Sequence, residues 1–280
     1  MDREQATKLA ESALSDLAGE LKAGKSDTLI RYLDMLSRFH SYSFGNCILI
    51  AMQQPNASMV AGFQRWKQLG RFVKKGEKGI AILAPLVYRR KQDAAEETPA
   101  NDDGDKPARQ VRGFKVVHVF DVTQTEGAEL PEFSRLSGDP GDYIDKMRTL
   151  IASHQIALSY EDLPPGNGGL SKGGSIVIAN GLEPANHFAV LVHELAHELL
   201  HRGERRAETT RRMRETEAEA VSYVVSKSIG LDTGTRSADY IQLYAGDEDL
   251  LMHSLEHIQR VASLILAELQ QPSAVAAEAA

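Results

Sequence analysis

The pattern of apolar and polar positions predicts a chain that mixes helices with short strands. Apolar residues recur at helical spacing over 2–22, 26–40, 44–54 and 143–154, and again around 190–200, 214–225, 240–243 and 250–269. Short apolar runs between glycine, proline or polar clusters predict strands over 80–87, 116–122, 156–160 and 174–179. This alternation without a regular repeat predicts an α+β fold.

One predicted helix carries the pattern of a metal site. It contains His-Glu-Leu-Ala-His, from His193 to His197. Positions i and i+4 lie on the same face of a helix, so both imidazoles can reach a single ion. The Glu194 carboxylate then lies close enough to act as a base on a metal-bound water. Asn186 is predicted to cap this helix, and Gly203 to end it.

The same helix offers a second register of this pattern. His197-Glu198-Leu-Leu-His201 also reads His-Glu-x-x-His. The first register is preferred because the second puts its ligands in the final turn, beside Gly203. The alternative to both is a surface helix on which histidines recur by chance.

A second predicted helix, over 214–225, supplies a candidate third ligand. Glu215 and Glu219 share one face at i, i+4 spacing, whereas Glu217 lies about 200° round the helix from Glu215. We predict Glu215 as the third metal ligand and Glu219 as the acceptor that orients the His193 ring. These ligand types favour Zn²⁺, and Mn²⁺ and Co²⁺ stay open. The competing interpretation is a solvated acidic face paired with nearby arginines.

Charge is distributed unevenly along the chain. The net charge is −7, but residues 1–90 hold 14 basic and 8 acidic side chains, and residues 51–90 hold 8 and 1. A basic block in an acidic protein indicates a surface for polyanions, or simply an ordinary basic face. The single cysteine, Cys47, fits a reducing cytoplasm. No apolar run reaches membrane-spanning length, so we expect a cytoplasmic protein with no membrane partner.

The basic block mixes cations with aromatic rings and glycines over 62–79. Bases stack on exposed rings while cations follow the phosphate backbone, so this mixture favours single-stranded nucleic acid. The predicted contacts are Phe63, Arg65, Trp66, Lys67, Arg71, Lys74, Lys75 and Lys78. In the competing interpretation Phe63 and Trp66, three residues apart, pack a short helix against the core.

Composition also predicts where the chain divides. Residues 91–110 form an acidic stretch with almost no large apolar side chain, which predicts a mobile loop between two strands. We predict a domain over 1–125, a linker over 126–140, a second domain over 141–270 and a disordered tail over 271–280.

Two groups of residues resemble a known protein family. The run Tyr-Ser-Phe-Gly-Asn from Tyr42 to Asn46, the stretches around 60–80, and Ala84-Pro85 resemble the N-terminal domain of ArdC-type antirestriction proteins over about residues 5–125. The resemblance implies single-stranded DNA binding, and it adds Tyr42 and Asn46 to the predicted DNA contacts.

The C-terminal motifs resemble the metallopeptidase domain of the same proteins and of the ImmA/IrrE group. The resemblance implies a zincin-like zinc metallopeptidase domain. The short strand predicted over 174–179, just before the first motif, is expected to be an edge strand of a small sheet that could hold an extended peptide. In related zincins Glu-x-x-Ala-Glu follows His-Glu-x-x-His with its first Glu as ligand, which favours Glu215 over Glu217. The acidic stretch 91–110 is longer than the family pattern leads us to expect.

Three functions are compatible with these features. The first is a DNA-coupled zinc endopeptidase with a protein substrate, in which Tyr240 or Tyr244 stabilises the oxyanion. The second is a non-proteolytic antirestriction protein that binds single-stranded DNA and carries a structural zinc. The third is a regulatory protease that cleaves a repressor, as ImmA-like proteins do.

Overall fold

The computed structural model describes residues 2–23, 27–88, 110–128, 139–231 and 248–270. Within these ranges the fold is α+β, as the sequence predicts. The helices are α1 Arg3–Lys22, α2 Asp27–Arg38, α3 Phe44–Gln53, α4 Phe63–Gln68, α5 Tyr143–Ser153, α6 Pro184–Leu200, α7 Glu204–Glu208, α8 Arg211–Ser228 and α9 Glu248–Leu269.

The strands form three small sheets. They are β1 Val60–Gly62, β2 Arg71–Val73, β3 Ile80–Tyr88, β4 Gln110–Asp121, β5 Thr125–Gly127, β6 Ala157–Glu161, β7 Gly169–Ser171 and β8 Ser175–Ala179. The strand orders are β1-β4-β3, β2-β5 and β6-β8-β7. Strand β7 therefore forms one edge of its sheet, and it runs antiparallel to β8. The strand predicted over 174–179 as an edge strand corresponds to β8, which pairs on both sides, so that prediction was wrong.

The long strands β3 and β4 form an antiparallel hairpin. Ile80 pairs with Val119, and the register shifts between Pro85 and Val87, where proline removes a ladder donor. The connection between these strands was predicted as the acidic stretch 91–110. All of it except Gln110 lies outside the described residues.

Helices from both halves of the chain contribute to one hydrophobic core. Helix α2 packs on α8, while α1, α3 and α5 pack on α9. The Lys227 ammonium on α8 lies 2.6 Å from the Asp34 carboxylate on α2, and the Tyr223 hydroxyl donates to the same carboxylate. The two predicted domains therefore pack closely against each other. Their division at 126–140 stays a prediction.

Helix α6 begins earlier than predicted. Its N-cap is Glu183 and its first residue is Pro184, so the prediction of Asn186 as the cap was wrong. Proline is favoured at the first helical position because it lacks the N–H that would have no partner there. The helix ends at Leu200, and Gly203 follows with a positive φ of 56°.

Some predictions concern residues outside the described ranges. Tyr240, Tyr244, the helix predicted over 240–243 and the tail 271–280 all lie there. None of the helices within the described ranges has the length and apolar character to span a bilayer.

The last residue of β4, Asp121, has a buried carboxylate. Both oxygens of Asp121 accept hydrogen bonds, from the Ser58 and Met59 amides at 2.8 and 3.1 Å and from the amide and hydroxyl of Thr123 at 3.0 and 2.7 Å. Burial by itself raises the pKa of Asp121, but these hydrogen bonds outweigh it and lower the pKa overall. The carboxylate thus fixes the loop before β1 to the turn after β4.

We expect Asp121→Asn to lower the free energy of unfolding by about 1–3 kcal/mol, because an amide cannot accept at both positions. Chemical denaturation measures this change. The folded-state pKa lies below the unfolded value of about 3.9, so the stabilisation is present above that pH. It is lost as pH falls through the folded-state pKa.

The matched control for this prediction is Asp16→Asn on α1, where the carboxylate is exposed. It should leave stability within about 0.5 kcal/mol of the wild type. Equal stability of the Asp121→Asn protein and the wild type would contradict the assigned role.

Candidate metal centre

Helices α6 and α8 pack against each other and bring three candidate ligands together. The Nε2 atoms of His193 and His197 lie 3.1 Å apart. The Oε2 atom of Glu215 lies 3.6 Å from each of them. These three are the only group of possible ligands found among the described residues that meets metal-binding spacing.

The size of this triangle fits a metal ion. A tetrahedral ion with bonds of about 2.0–2.1 Å holds neighbouring ligand atoms about 3.3 Å apart, close to the edges observed here. The two imidazoles are largely buried, whereas the Glu215 side chain is 52% exposed. The Glu215 side of the triangle therefore faces solvent.

Neighbouring carboxylates control the proton affinity of His193. Burial alone lowers the pKa of this imidazole, but hydrogen bonds to Glu215 and Glu219 and the charge of Glu194 raise it to about 9. Glu219 Oε2 lies 3.5 Å from His193 Nδ1, the position predicted for a group that orients the ring. The two imidazoles in turn lower the pKa of Glu215.

The buried Glu194 lies against the edge strand β7 and interacts electrostatically with all three candidate ligands. A Cβ atom at Gly169 would lie only 2.7 Å from Glu194 Cγ and 2.9 Å from its Oε1, so the close approach requires glycine. Burial raises the pKa of Glu194, and the charge of Glu215 adds to this effect. The Ser171 amide supports one of its oxygens. The charges of His193 and His197 act in the opposite direction, but the pKa of Glu194 stays above its ordinary value.

Glu198, the acid of the second register, serves a different purpose. Its buried carboxylate accepts from the Ser171 hydroxyl at 2.6 Å, from the Gly173 and Gly174 amides at 2.8 and 2.7 Å, and from Arg202. Every lone pair is directed at the β7–β8 turn or at the guanidinium. Glu198 therefore holds the hairpin on α6 and has no oxygen free for catalysis.

The remaining histidine of the second register is also bonded on both sides. His201 Nδ1 lies 3.1 Å from His197 Nδ1, and its Nε2 lies 2.9 Å from Glu217 Oε2. Burial lowers the pKa of His201, which favours the neutral ring. These contacts, together with those of Glu198, favour the first register.

Glu217 is fully buried, a result that helical spacing alone could not supply. Helical spacing predicted that Glu217 and Glu215 lie on different faces of α8, and Glu217 is not part of the ligand triangle. Spacing did not predict a partner for Glu217. Its carboxylate accepts from Arg205 Nη2 at 2.7 Å and from the Ser254 hydroxyl. Arg205 belongs to the nearby arginines that the competing interpretation pairs with an acidic face, but the face that it pairs with is buried and not solvated.

We expect binding of a divalent ion to strengthen as pH rises towards about 9, because the ion must displace the proton on His193. The apparent affinity should change by about tenfold per pH unit below that value. Competition against a chromophoric chelator across a pH series measures it.

Glu219→Gln provides a comparison for this pH dependence. It weakens one hydrogen bond that raises the pKa of His193, so the affinity should level off at a lower pH. An affinity that stays constant from about pH 6 to about pH 9 would contradict the proposed proton displacement.

The predicted nucleic-acid contacts divide into exposed and structural residues. Phe63 is 53% exposed, and Arg65, Lys67, Lys75 and Lys78 are exposed beside or beyond it. These side chains are accessible to a ligand. Their role stays a prediction.

Two predicted contacts are unsuited to that role. Trp66 is 0% exposed and its indole N–H donates to the Phe120 carbonyl at 2.8 Å, so its ring offers no face to a base. Asn46 is buried and pairs with the backbone N–H and C=O of Leu83. Both are corrections of the sequence prediction, and the packing alternative for Trp66 is the one observed.

Three further predicted contacts have structural bonds. Arg71 donates to the Thr125 hydroxyl at 2.8 Å and fixes β2 to β5. Lys74 donates to the Thr123 carbonyl at 3.0 Å, and Tyr42 donates to the Val60 carbonyl at 3.0 Å. The Lys74 side chain stays exposed despite this bond.

Two exposed rings were absent from the predicted contacts. Phe72 on β2 is 54% exposed and Phe114 on β4 is 46% exposed. Phe72 lies within the aromatic and basic stretch 62–79, so that signal was available. Phe114 follows the acidic stretch, and an isolated ring there gives no pattern.

Comparison with known proteins gives a family match for the N-terminal part. Residues 11–120 match the model of the N-terminal domain of anti-restriction factor ArdC. An uncharacterized protein of Bacillus anthracis is 24% identical over 85% of this chain. The match covers 46% of that protein, so the chain spans about half the length of this curated relative.

Two solved structures share the fold. They are crystal structures of the antirestriction protein ArdC from the R388 plasmid, one metal-free and one Mn(II)-bound. The metal-free structure has a TM-score of 0.52 at 19% identity, over 93% of this chain and 97% of that one. The Mn(II)-bound structure has a TM-score of 0.53 at 19% identity, over 94% and 98%. The α+β fold of this chain is thus similar to that of ArdC.

Proposed function

We propose that the chain is an ArdC-type antirestriction protein that combines single-stranded DNA binding with metal-dependent hydrolysis of peptide bonds. The observation that carries the catalytic part is the meeting of His193, His197 and Glu215 within electrostatic reach of the buried Glu194. The match of residues 11–120 to the ArdC N-terminal domain supports the first part. The proposed division is DNA binding in residues 1–125 and hydrolysis in residues 141–270, with 126–140 between them.

A divalent ion held by the two imidazoles and Glu215 would polarise a substrate carbonyl and lower the pKa of a bound water to about 7. Glu194 accepts the proton of the attacking water at its carboxylate and returns it to the leaving amine nitrogen. Its raised pKa suits both steps, because the carboxylate binds that proton more strongly than an exposed one would.

The substrate peptide is proposed to extend along β7. This strand is an edge of its sheet, so its outward backbone groups can pair with an added chain. Leu170 on β7 is exposed, and the adjacent Gly169 contacts Glu194. A peptide paired there would have its backbone close to the base.

Zinc is the proposed ion because two imidazoles and one carboxylate are a ligand set typical of zinc hydrolases. The Mn(II)-bound ArdC structure supports a divalent metal in a protein of this fold. Manganese prefers oxygen ligands, of which the described site offers fewer. Mn²⁺ and Co²⁺ are therefore the alternatives to compare with Zn²⁺ in metal-replacement assays.

We expect Glu194→Gln to abolish peptide hydrolysis while its metal content stays that of the wild type, because Glu194 is not among the three ligands. The assay is incubation of purified protein with candidate protein substrates, with and without single-stranded DNA and a chelator. Loss of a general base lowers the rate by about two to four orders of magnitude, so hydrolysis by this variant should fall below detection.

Glu208→Gln, an exposed change on α7, is the control and should retain activity. Hydrolysis by the Glu194→Gln protein at the wild-type rate would contradict the assignment of Glu194 as the general base. Full antirestriction activity of that variant in cells would instead favour the second candidate function, a DNA-binding antirestriction protein whose metal is structural.

A regulatory protease that cleaves a repressor remains the third candidate. In that case DNA binding is incidental to cleavage. Substituting Lys74, Lys75 and Lys78 by glutamate would then leave cleavage of the protein substrate unchanged.

The proposed DNA surface centres on α4 and β2, which pack against each other. They carry the half-exposed rings of Phe63 and Phe72, and the exposed cations of this region flank both elements. Rings of this kind stack on bases of any sequence, and the cations neutralise phosphates. We therefore place Phe72 in the proposed surface in addition to Phe63.

We expect Phe63→Ala and Phe72→Ala each to weaken single-stranded DNA binding by about 1–3 kcal/mol, since each removes one stacking platform. Fluorescence anisotropy with a labelled oligonucleotide at fixed salt measures the loss. Tyr160→Ala, which removes a partly exposed ring from β6, is the matched control and should bind as the wild type does. Unchanged affinity in both phenylalanine variants would contradict the proposed surface.

A further inference from the structure

We propose that His201 and Glu217 are positioning residues for the metal centre, and that they hold the His197 ring in the tautomer that presents a bare Nε2 to the ion. The inference rests on the proposed metal centre. It concerns residues outside the three ligands and the base.

The three side chains form one line of contacts leading away from the site. His197 turns Nε2 towards His193 and its Nδ1 towards His201, 3.1 Å away. The opposite side of the His201 ring meets the Glu217 carboxylate at 2.9 Å. Both His201 and Glu217 side chains are completely buried, so water does not compete for these contacts.

The direction of each hydrogen bond follows from the buried end of the line. Arg205 donates to both oxygens of Glu217 at 2.7 Å, and the Ser254 hydroxyl donates to Oε1. A carboxylate held by a guanidinium only accepts, so His201 Nε2 must carry the hydrogen it donates. In the neutral ring Nδ1 of His201 is then the acceptor.

An acceptor at His201 Nδ1 leaves one arrangement for His197. Its Nδ1 must carry the hydrogen, so its Nε2 has a free lone pair directed at His193 Nε2 and Glu215. This is the form of imidazole that a metal ion requires. The line of contacts thus selects the ligand tautomer before any ion arrives.

The elements that supply this line are distant in the chain. Glu217 belongs to α8, Arg205 to α7 and Ser254 to α9. Glu217 and Ser254 are 37 residues apart, and Glu217 and Arg205 are 12 apart. Helix α9 therefore reaches the candidate ligand His197 through Ser254, Glu217 and His201.

Glu217→Gln is the variant that tests the tautomer. It keeps the shape of the side chain, but its amide N–H₂ can donate to His201 Nε2, which then becomes an acceptor. The hydrogen of His201 moves to Nδ1, and that of His197 moves to Nε2, where it blocks the ion. We expect affinity for Zn²⁺ to fall by about 10- to 100-fold, and the visible spectrum of the Co²⁺-loaded protein to change.

Asp121→Asn controls for loss of a buried carboxylate, since Asp121 has no contact with the candidate ligands. It should bind Zn²⁺ as the wild type does even if its melting temperature falls. An equal affinity for Zn²⁺ and an equal Co²⁺ spectrum in Glu217→Gln and Asp121→Asn would overturn the inference and leave Glu217 a purely structural residue.

A measurement on the unmodified protein covers the case in which Glu217→Gln does not fold. In Zn²⁺-loaded protein with ¹⁵N-labelled histidine, the NMR shifts of His201 should report a proton on Nε2 and none on Nδ1. A proton on Nδ1 of His201 overturns the inference. Failure of the wild type to bind any divalent ion would instead remove the proposed metal centre itself, so the two failures are distinguishable.

Discussion

The C-terminal part of the structure depends on satisfying charged side chains that are buried between helices. Glu198, His201 and Glu217 have no exposed side-chain surface or almost none, yet each is bonded through all its polar atoms. Leaving one buried charge without a partner would cost several kcal/mol. Their partners come from the β7–β8 turn, from α7 and from α9. The hydrogen bonds of all three buried side chains are therefore made only when α6 and α8 are correctly placed against these elements. The relative positions of the three candidate ligands, which lie on α6 and α8, depend on that arrangement.

Helix α8 connects this network to the first half of the chain. Its first turns carry Glu215 and Glu217, and its last turns contact α2 through Tyr223, Lys227 and Ser228. The Ser228 hydroxyl donates to the Ser37 carbonyl at 2.6 Å. Because a helix is stiff over 18 residues, the position of α2 and the position of the candidate ligands are related through one element. Helix α8 therefore links the two parts of the chain to which we assign the two proposed activities.

Periodicity predicted the long elements correctly because each buries one repeating face. The apolar spacing of α1, α2, α5 and α9 and the apolar runs of β3 and β8 indicated elements that the structure confirms. Strands β1, β2, β5 and β7 have three residues each, too few for a period to emerge, and they were not predicted. The i, i+4 spacing of His193 and His197 is a local property, so helix geometry alone implied that they share a face. The roles assigned to them, and to Glu215, remain predictions.

The parts that sequence could not supply are set by distant partners. Trp66 is buried, and its indole N–H donates to the carbonyl of Phe120, which lies 54 residues further along the chain. No residue near Trp66 in the sequence indicates this contact. Asn46 likewise pairs with Leu83, 37 residues on. A short aromatic and basic stretch looks the same whether its rings face solvent or the core. Only the packing of α4 on the β-strands separates Phe63, which is exposed, from Trp66, which is not.

The two overlapping His-Glu-x-x-His registers of α6 demonstrate the same principle within a single helix. Glu194 and Glu198 are one turn apart, and both face the β7–β8 hairpin. Glu194 meets Gly169, where no side chain intrudes, and burial raises its pKa. Glu198 meets the turn, where it is fully occupied, and the hydrogen bonds from Ser171, Arg202 and the turn amides outweigh burial and lower its pKa. A general base needs an oxygen free to take a proton, so identical residue types at identical spacing give one candidate base and one structural clamp.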